Sequence, residues 1–340
     1  MSSAAPHPGP HRLSPAVAAV RRSLRLGLAD VEPGARVIVA CSGGADSLAL
    51  AACTLFESRA AGWSVGAVVV DHGLQPGSAV VASEVAESLR VMGAEPVEVA
   101  TVEVGSGGGP EAAARTARYE ALGAAAARQR AVVLLGHTRD DQAEAVLLGL
   151  ARGSGTRSLA GMAAQVGAYR RPLLEISRDQ TLETCAALGL RPWSDPHNAD
   201  RSFARVRVRR DLLPMLERQL GGGLVDALAR TAALARDDAD ALDELAGELY
   251  DAARCGPAAL KVAALAAALP AVRRRVLRAA AVDAGSPSGQ VFAVHVLAME
   301  RLVTDWHGQG AVDLPGHLRV RRDADRLHYL PAPTRPVQTS

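Results

Sequence analysis

The chain has 340 residues, which is too long for one typical domain and fits two. Its hydrophobic fraction of 49% is ordinary for a globular protein, and its net charge of +2 excludes a basic nucleic-acid-binding surface spread over the whole chain. Four widely spaced cysteines without a C-x-x-C pair exclude a disulfide framework and a conventional zinc or iron–sulfur motif. There is no signal-peptide core and no apolar run of about 18 residues, so we expect a soluble, cytoplasmic protein without membrane contacts.

Short apolar segments alternate with helical patterns through the first two thirds of the chain. A disordered start at residues 1–14 and a helix at Val17–Leu28 come first. The predicted strands are Ala35–Ala40, Val65–Val70, Val97–Val102, Ala131–Leu135 and Tyr169–Leu174. The predicted helices are Ala45–Arg59, Ser78–Met92, Glu111–Arg130, Asp141–Ala151 and Asp179–Leu188. This alternation predicts an α/β fold with a doubly wound parallel sheet, because parallel strands need helical crossovers.

The character of the sequence changes after Pro214. Gly221–Gly223 is a predicted hinge, residues 224–306 are rich in alanine and leucine with helical spacing, and Ala311–Leu330 predicts two or three short strands. We therefore expect an N-terminal tail and helix (residues 1–30), an α/β domain (31–216) and a smaller, mainly helical domain with short terminal strands (224–332).

A glycine-rich loop follows the first predicted strand and begins a helix. Its sequence is Ser42-Gly43-Gly44-Ala45-Asp46-Ser47. Glycines let successive backbone N–H groups point at one anion, and the helix N-terminus adds partial positive charge. Ser42 and Ser47 can donate hydrogen bonds to phosphate, while Asp46 can hold Mg²⁺. The G-x-x-x-x-G-K-S/T pattern of a Walker loop is absent; the simpler alternative is a turn with a helix cap.

Polar residues also follow the second and fourth predicted strands: Asp71, His72, His137, Asp140, Asp141 and Glu144. The carboxyl ends of parallel strands meet at one edge of the sheet, where ligands of such folds bind. Asp141 and Glu144 are three residues apart and share a helix face, so they can hold a cation or an amine. The simpler alternative is a helix N-terminus carrying acids that favour its dipole.

The pattern Ser-Gly-Gly-x-Asp-Ser resembles the signature of the PP-loop, or N-type ATP pyrophosphatase, superfamily. Further segments, in order through residues 36–216, resemble the tRNA(Ile)-lysidine synthetase family. They are Asp71-His72-Gly73-Leu74, Arg115-x-x-Arg118-Tyr119, Gly136 to Glu144, Arg152-Gly153-Ser154-Gly155, Arg171-Pro172-Leu173-Leu174 and Trp193-Ser194-Asp195-Pro196-x-Asn198. Two positions depart from the family pattern: Val206 stands where Asn is usual, and Ala145 where Thr is usual.

The resemblance implies a two-step reaction. ATP with Mg²⁺ adenylates the C2 oxygen of cytidine 34 in the CAU anticodon of tRNA(Ile), and the ε-amine of L-lysine then displaces AMP to form lysidine. Residues 42–47 with Asp71 and His72 are the implied ATP-binding residues. The implied catalytic residues are Asp46, which also holds the metal, His137, Asp141 and Glu144. The implied substrate-binding residues are Arg115, Arg118, Asp140, Arg152, Arg205 and Arg207.

The resemblance also assigns catalysis to residues 31–216 and tRNA recognition to residues 224–332, and it is compatible with a homodimer. Three alternatives remain open. A small-molecule amidotransferase such as an NAD or GMP synthetase would share the loop, but it should lack the segment Gly136 to Glu144 followed by Arg152-Gly153-Ser154-Gly155. A 2-thiocytidine synthetase would use paired cysteines, whereas Cys41 beside the loop is isolated. A nucleotide- or RNA-binding protein without activity would have no need of Asp46, His137 and the acids after it. The general base for the lysine amine is left open between His137 and the carboxylates.

Overall fold

The computed structural model describes residues 14–73, 75, 77–103, 105, 110–153 and 156–332, with the side chains of residues 110–112 excepted. The chain forms two compact units that divide between Ala233 and Leu234. The predicted disordered start lies outside the described residues, apart from Ser14. Within the described ranges, no helix is both long and apolar enough to cross a membrane.

The first unit is built on a six-stranded sheet. Its strands are β1 (Arg36–Ala40), β2 (Ser64–Asp71), β3 (Val97–Thr101), β4 (Ala131–Leu135), β5 (Gln165–Val166) and β6 (Tyr169–Arg170). Their order is β3-β2-β1-β4-β6-β5, and every neighbouring pair is parallel except β5 with β6. The predicted parallel sheet is therefore confirmed. The fifth predicted strand is shorter than expected and is preceded by β5, which is too short to show a periodic pattern.

Helices cover both faces of this sheet. The helices of this unit are α1 (Pro15–Gly27), α2 (Ala45–Ala61), α3 (Ser78–Met92), α4 (Pro110–Gln129), α5 (Arg139–Ala151), α6 (Thr156–Leu159), α7 (Arg178–Ala187), α8 (Ala204–Arg207) and α9 (Leu213–Leu220), of which α6 packs on α5. A 3₁₀ turn (Pro196–Ala199) precedes α8, and a π-helical turn (Val208–Leu212) follows it. Alternate side chains of β1 enter two separate cores, Val37 in one and Ile38 in the other. This alternation buries both faces of the strand, as a doubly wound sheet requires.

The register of the three central strands brings their following loops to one edge. Ala40 at the end of β1 pairs with Val68 of β2 and with Leu135 of β4. The loops after β1, β2 and β4 therefore leave the sheet close together, and they carry the polar residues that the sequence places after these strands. The site is thus built where the carboxyl ends of neighbouring parallel strands meet.

The second unit combines helices with an antiparallel sheet. Helix α10 (Leu224–Ala253) precedes β7 (Arg254–Gly256), β8 (Ala259–Lys261), α11 (Val262–Ala267), α12 (Pro270–Asp283), α13 (Ala293–Thr304), β9 (Val312–Leu314), β10 (Leu318–Asp323) and β11 (Arg326–Pro331). The strand order is β7-β8-β11-β10-β9. The terminal strands agree with the prediction. The hairpin of β7 and β8 was not predicted, because three-residue strands within an alanine-rich stretch carry no strand signal.

A buried ion pair joins two helices of this unit. Arg273 Nη2 on α12 lies 2.9 Å from Glu300 Oε1 on α13, and both side chains are buried. Arg274 Nε lies 2.6 Å from the other carboxylate oxygen of Glu300. A buried charge is tolerated only when it is paired, so each helix depends on the other for this contact.

The substitution Glu300→Ala should lower the free energy of unfolding by about 3–5 kcal/mol, because it leaves the Arg273 guanidinium buried without its carboxylate. Urea denaturation of the full chain measures this. The control is Asp313→Ala, which removes a pair of 2.8 Å with Arg319 in which Asp313 is 73% exposed. Little change is expected there, because exposed pairs contribute little. Equal stability of the two variants would show that the buried pair does not hold α12 to α13.

Candidate active site

The glycine-rich loop is closed by its own serines. The Ser47 hydroxyl accepts a hydrogen bond from the backbone N–H of Ser42 (3.1 Å) and donates one to the carbonyl of Gly44 (3.0 Å). Gly43 has φ +82°, and a Cβ there would lie 2.5 Å from Val85 Cγ2. A side chain at Gly43 is therefore excluded both by conformation and by space. The loop is preformed, with α2 beginning at Ala45 inside it.

The loop also packs tightly on the end of β4. A Cβ at Gly136 would lie 3.1 Å from the carbonyl carbon of Asp46 and 3.1 Å from the nitrogen of Ser47. The polar segment after β4 thus contacts the loop backbone directly. The close approach explains why the first residue after β4 has no side chain.

A cavity of about 330 Å³ opens beyond the carboxyl ends of β1 and β2. Its polar lining includes Ser42, Asp71, His72, Arg118, Asp195 and His197. Its apolar wall comes from β2 and α3, with Val69, Val81 and Val85. Pockets for small ligands commonly enclose about 300–1,000 Å³ and combine apolar walls with a few polar groups. The structure therefore brings the predicted loop, Asp71, His72 and Arg118 to one small-molecule pocket.

The segment Trp193–Asn198 forms one side of this cavity and is tied to two loops. The backbone N–H of Trp193 donates to the carbonyl of Gly43 (2.9 Å). The Gln75 amide donates to Asp195 Oδ1 (2.9 Å) and lies 2.7 Å from His197 Nδ1. These contacts hold the segment against the glycine-rich loop and against the loop after β2.

Two histidines near the loop are neutral at neutral pH. Burial lowers the pKa of His137 to about 3, with Arg118 acting in the same direction against the nearby Asp141. Burial, followed by the charge of Arg118, also lowers the pKa of His72. Each has a buried Nδ1 that meets no hydrogen-bond partner among the described residues. Both imidazoles are therefore available to a ligand as neutral hydrogen-bonding groups.

Beside the loop, three carboxylates meet three guanidinium groups; we call this the acid–arginine cluster: Asp46, Asp141, Glu144, Arg178, Arg205 and Arg209. Glu144 is 0% exposed, and its carboxylate lies 2.9 Å from Arg205 Nε and 2.6 Å from Arg209 Nε. A fully buried carboxylate is stable as an anion only with such partners. The hydrogen bond and the charge of Glu144 raise the pKa of Arg209 although burial opposes this.

Asp141 is held from both sides. Its Oδ2 accepts a hydrogen bond from the backbone N–H of Thr138 (2.8 Å), which caps α5. Its Oδ1 lies 3.1 Å from Arg178 Nη2 and 3.3 Å from Arg209 Nη2. Burial alone would raise the pKa of Asp141, but the charges of Arg178 and Arg205 lower it overall. Asp141 is therefore ionised at neutral pH.

Asp46 lies at the start of α2 and faces α7. Its carboxylate accepts a short hydrogen bond from the Thr181 hydroxyl and lies 3.8 Å from Arg178 Nε. Burial raises the pKa of Asp46, and Thr181 and Arg178 oppose that shift. Among the three carboxylates, Asp46 is the one that the arginines contact least closely, so it is the most available to a metal ion.

The remaining predicted substrate residues lie in different places. Asp140 accepts a hydrogen bond from the backbone N–H of Arg178 (2.8 Å) and so caps α7. Arg115 is exposed on α4 and stacks on Tyr119, with 4.8 Å from its guanidinium carbon to the ring centroid. Arg152 is exposed at the end of α5, and Arg207 is exposed with hydrogen bonds to backbone carbonyls. The structure thus brings Arg118 and Arg205 to the site and leaves these three arginines on the surface.

Sequence reasoning missed Arg178, Thr181 and Arg209 as site residues. The first two are three residues apart on one face of α7, a spacing that is visible in the sequence but too common to be diagnostic. Arg209 lies in the π-helical turn, whose extra residue changes the direction of the side chains that follow. Such a turn has no sequence signature.

With this geometry established, the chain can be compared with known proteins. The profile of the PP-loop domain matches residues 18–216, and that of the TilS substrate binding domain matches residues 260–328. A tRNA(Ile)-lysidine synthase of Thermobifida fusca is 55% identical over 309 residues, which cover 91% of this chain and 95% of the relative. The chain belongs to the tRNA(Ile)-lysidine synthase family. Its PP-loop domain implies that it binds ATP.

Other relatives carry the same name. Proteins named tRNA(Ile)-lysidine synthase from Streptomyces coelicolor and Salinispora tropica are 57% and 56% identical, covering 86% and 93% of this chain and 84% and 96% of the relatives. Among solved structures, the U34-tRNA thiolase NcsA from Methanococcus maripaludis with its 4Fe–4S cluster aligns with a TM-score of 0.55. That alignment has 19% identity and covers 65% of this chain and 80% of the other. It shows a shared PP-loop fold.

The substitution Gly136→Ala should weaken ATP binding by about 5- to 150-fold, because an added methyl displaces the loop backbone and overpacking costs about 1–3 kcal/mol. Isothermal titration calorimetry with an ATP analogue measures this. Gly247→Ala in α10 is the control, since nothing lies within 4 Å of a Cβ there. Unchanged affinity in Gly136→Ala would mean that the loop does not bind the nucleotide.

Proposed function

We propose that this chain ligates L-lysine to C2 of cytidine 34 in the CAU anticodon of tRNA(Ile), with ATP converted to AMP and pyrophosphate. The observation that carries the proposal is the juxtaposition of a phosphate-binding loop with a buried cluster of carboxylates, in a chain whose relatives are named for lysidine synthesis. ATP activates the C2 oxygen of the base, and the lysine ε-amine attacks C2. The C2–O bond then breaks, and AMP leaves with that oxygen.

The loop Ser42–Ser47 binds the phosphates of ATP in this proposal, with the rest of the nucleotide in the cavity that Asp71 and His72 line. Mg²⁺ fits Asp46, because this metal is commonly held by one or two carboxylates together with phosphate oxygens. The described residues contain no three His, Cys, Asp or Glu side chains that form a metal cage by themselves, which agrees with a metal that arrives with ATP. Such a metal would neutralise charge on the leaving pyrophosphate.

The carboxylates of Asp141 and Glu144 bind the lysine ammonium group. Both are ion-paired and buried, so they supply fixed negative charge beside the loop. The amine must lose a proton before it attacks the base, and His137 and the carboxylates are the candidate proton acceptors. The neutral His137 has a free Nδ1 for a hydrogen bond from that amine.

Arginines at the edge of the site contact the RNA. Arg205 lies in α8 beside Glu144, and Arg207 is exposed on the same helix with its backbone contacts. Arginines bind backbone phosphates through paired N–H donors. Arg115 and Arg152 extend this role over the exposed surface of α4 and α5. We assign catalysis to residues 31–216 and tRNA recognition to residues 224–332, a range that includes the substrate-binding match. A homodimer is compatible with this arrangement.

A thiolation reaction finds no support in the cysteines of this chain. Burial raises the pKa of Cys53 to about 12 and that of Cys185 to about 11, and it also raises the pKa of Cys41. The thiolate is the reactive form of cysteine, so these three thiols are poor carriers of sulfur. Cys255 lies in the second unit.

The decisive assay uses the purified chain with ATP, Mg²⁺, labelled L-lysine and tRNA(Ile) bearing the CAU anticodon. We expect ATP-dependent label in the RNA, and no label when cytidine 34 is replaced. Asp46→Asn should abolish AMP formation while tRNA binding, measured by filter retention, stays within about twofold of wild type, since the metal carboxylate does not contact RNA. Asp30→Asn, a half-exposed aspartate paired with Arg170, is the matched control. Pyrophosphate release without lysine in the RNA would point to another nucleophile and contradict the proposal.

A further inference from the structure

Arg178 is the arginine that contacts all three carboxylates of the acid–arginine cluster. Its guanidinium group lies 3.8 Å from Asp46, 3.1 Å from Asp141 and 3.5 Å from Glu144. Among the described residues, no other arginine has a salt bridge to all three carboxylates. Arg178 therefore occupies the space that Asp46, Asp141 and Glu144 share.

The same three carboxylates have other cations to bind. On the proposed function, on which this inference rests, Asp46 receives Mg²⁺ and Asp141 with Glu144 receives the lysine ammonium group. The cluster is already neutral, with three negative and three positive side chains. The metal brings the negative phosphates of ATP with it, so the conflict is one of space: the carboxylate oxygens that the metal and the ammonium group need are those that Arg178 contacts. One of the guanidinium groups must move when the substrates bind.

Arg178 has more carboxylate partners than Arg205 or Arg209, but its shortest contact, 3.1 Å, is longer than theirs, which are 2.9 and 2.6 Å. Its only geometric hydrogen bond within the cluster is the one to Asp141 (3.1 Å), whereas Arg209 makes hydrogen bonds of 2.6 and 3.1 Å to Glu144, and Arg205 makes one of 2.9 Å. The Arg178 side chain is 24% exposed, about as much as Arg205 (28%) and Arg209 (25%), so it has a route to solvent as they do. Its backbone is fixed independently, because its N–H donates to Asp140 and Ser177 caps the same helix. The side chain can leave the cluster without movement of α7.

We propose that in the free enzyme the Arg178 guanidinium group occupies the space in which the substrate cations bind. The metal ion and the lysine ammonium group displace it from that space. This space lies between Asp46, Asp141 and Glu144. Arg178 is thus a positioning residue: it holds the three carboxylates close together before the substrates bind, and it competes with other cations for them.

The test measures Mn²⁺ binding by electron paramagnetic resonance, with the full chain and a non-hydrolysable ATP analogue, and the KM for lysine in the RNA assay. In Arg178→Ala we expect the Mn²⁺ dissociation constant and the lysine KM each to fall about tenfold, since the competing cation is gone. The kcat should also fall, because the carboxylates lose their positioning. Arg178→Lys keeps a positive charge and should stay near wild type in Mn²⁺ affinity, which separates charge from packing.

Arg139→Ala is the matched control. Arg139 is the first residue of α5 as Arg178 is of α7, it is 30% exposed, and its partner is Asp226, outside the cluster. Its Mn²⁺ affinity should equal that of wild type. Unchanged or weaker Mn²⁺ binding in a folded Arg178→Ala variant, judged by circular dichroism, would overturn the inference. Tighter Mn²⁺ binding with no incorporation of lysine by wild type would uphold the role toward the metal while refuting the proposed function.

Discussion

Burial of Glu144 and Asp141 is the constraint on which the rest of the site depends. A fully buried carboxylate is costly unless cations and hydrogen bonds surround it. The cations come from three later segments, α7, α8 and the π-helical turn, whose arginines lie 34 to 68 residues after these two carboxylates in the chain. The part of the chain that follows the sheet must therefore fold back against α5. In this way a local requirement for charge compensation determines the path of residues 178–209.

The sheet places the phosphate loop next to these carboxylates. Ala40 at the end of β1 pairs with Leu135 at the end of β4, so the loops that follow these strands start side by side. The absence of a side chain at Gly136 lets the two loops touch. The phosphate loop and the carboxylates consequently share one edge, as binding groups do in parallel sheets. The chemistry that we propose needs this proximity, because the activated base and the attacking amine must meet within one site.

Much of the first unit could be predicted from sequence. β1 to β4 and the helices between them lie within two residues of their predicted bounds at every end, because buried parallel strands are continuous apolar runs and glycines follow α2 and α3. The glycine-rich loop could be predicted because its function requires glycine at fixed positions. Arg178 and Arg209 could not, because their role exists only through contacts with α5, and the sequence around them shows only a basic, helical segment. β7 and β8 escaped prediction because tertiary pairing, not local pattern, makes them strands: β8 pairs with β11, and β7 pairs with β8.

The resemblance to lysidine synthetases and the structure converge from independent directions. The family motifs predict which residues carry the chemistry, whereas the structure shows what those residues contact in the free chain. Asp141 and Glu144 are not open acids awaiting a ligand; they are already paired with arginines. The family assignment alone would not have indicated this self-paired state, which makes cation exchange part of substrate binding.

The most direct test of the proposed chemistry follows the C2 oxygen atom of cytidine 34. A tRNA(Ile) with ¹⁸O at C2 of cytidine 34 is incubated with the chain, ATP, Mg²⁺ and lysine, and the AMP is analysed by mass spectrometry. Adenylation of the base oxygen followed by attack of the amine at C2 predicts AMP that is two mass units heavier, because the labelled oxygen leaves with the phosphate. Unlabelled AMP formed alongside lysidine would show that the phosphate never bonded to the base, and it would contradict the proposed chemistry.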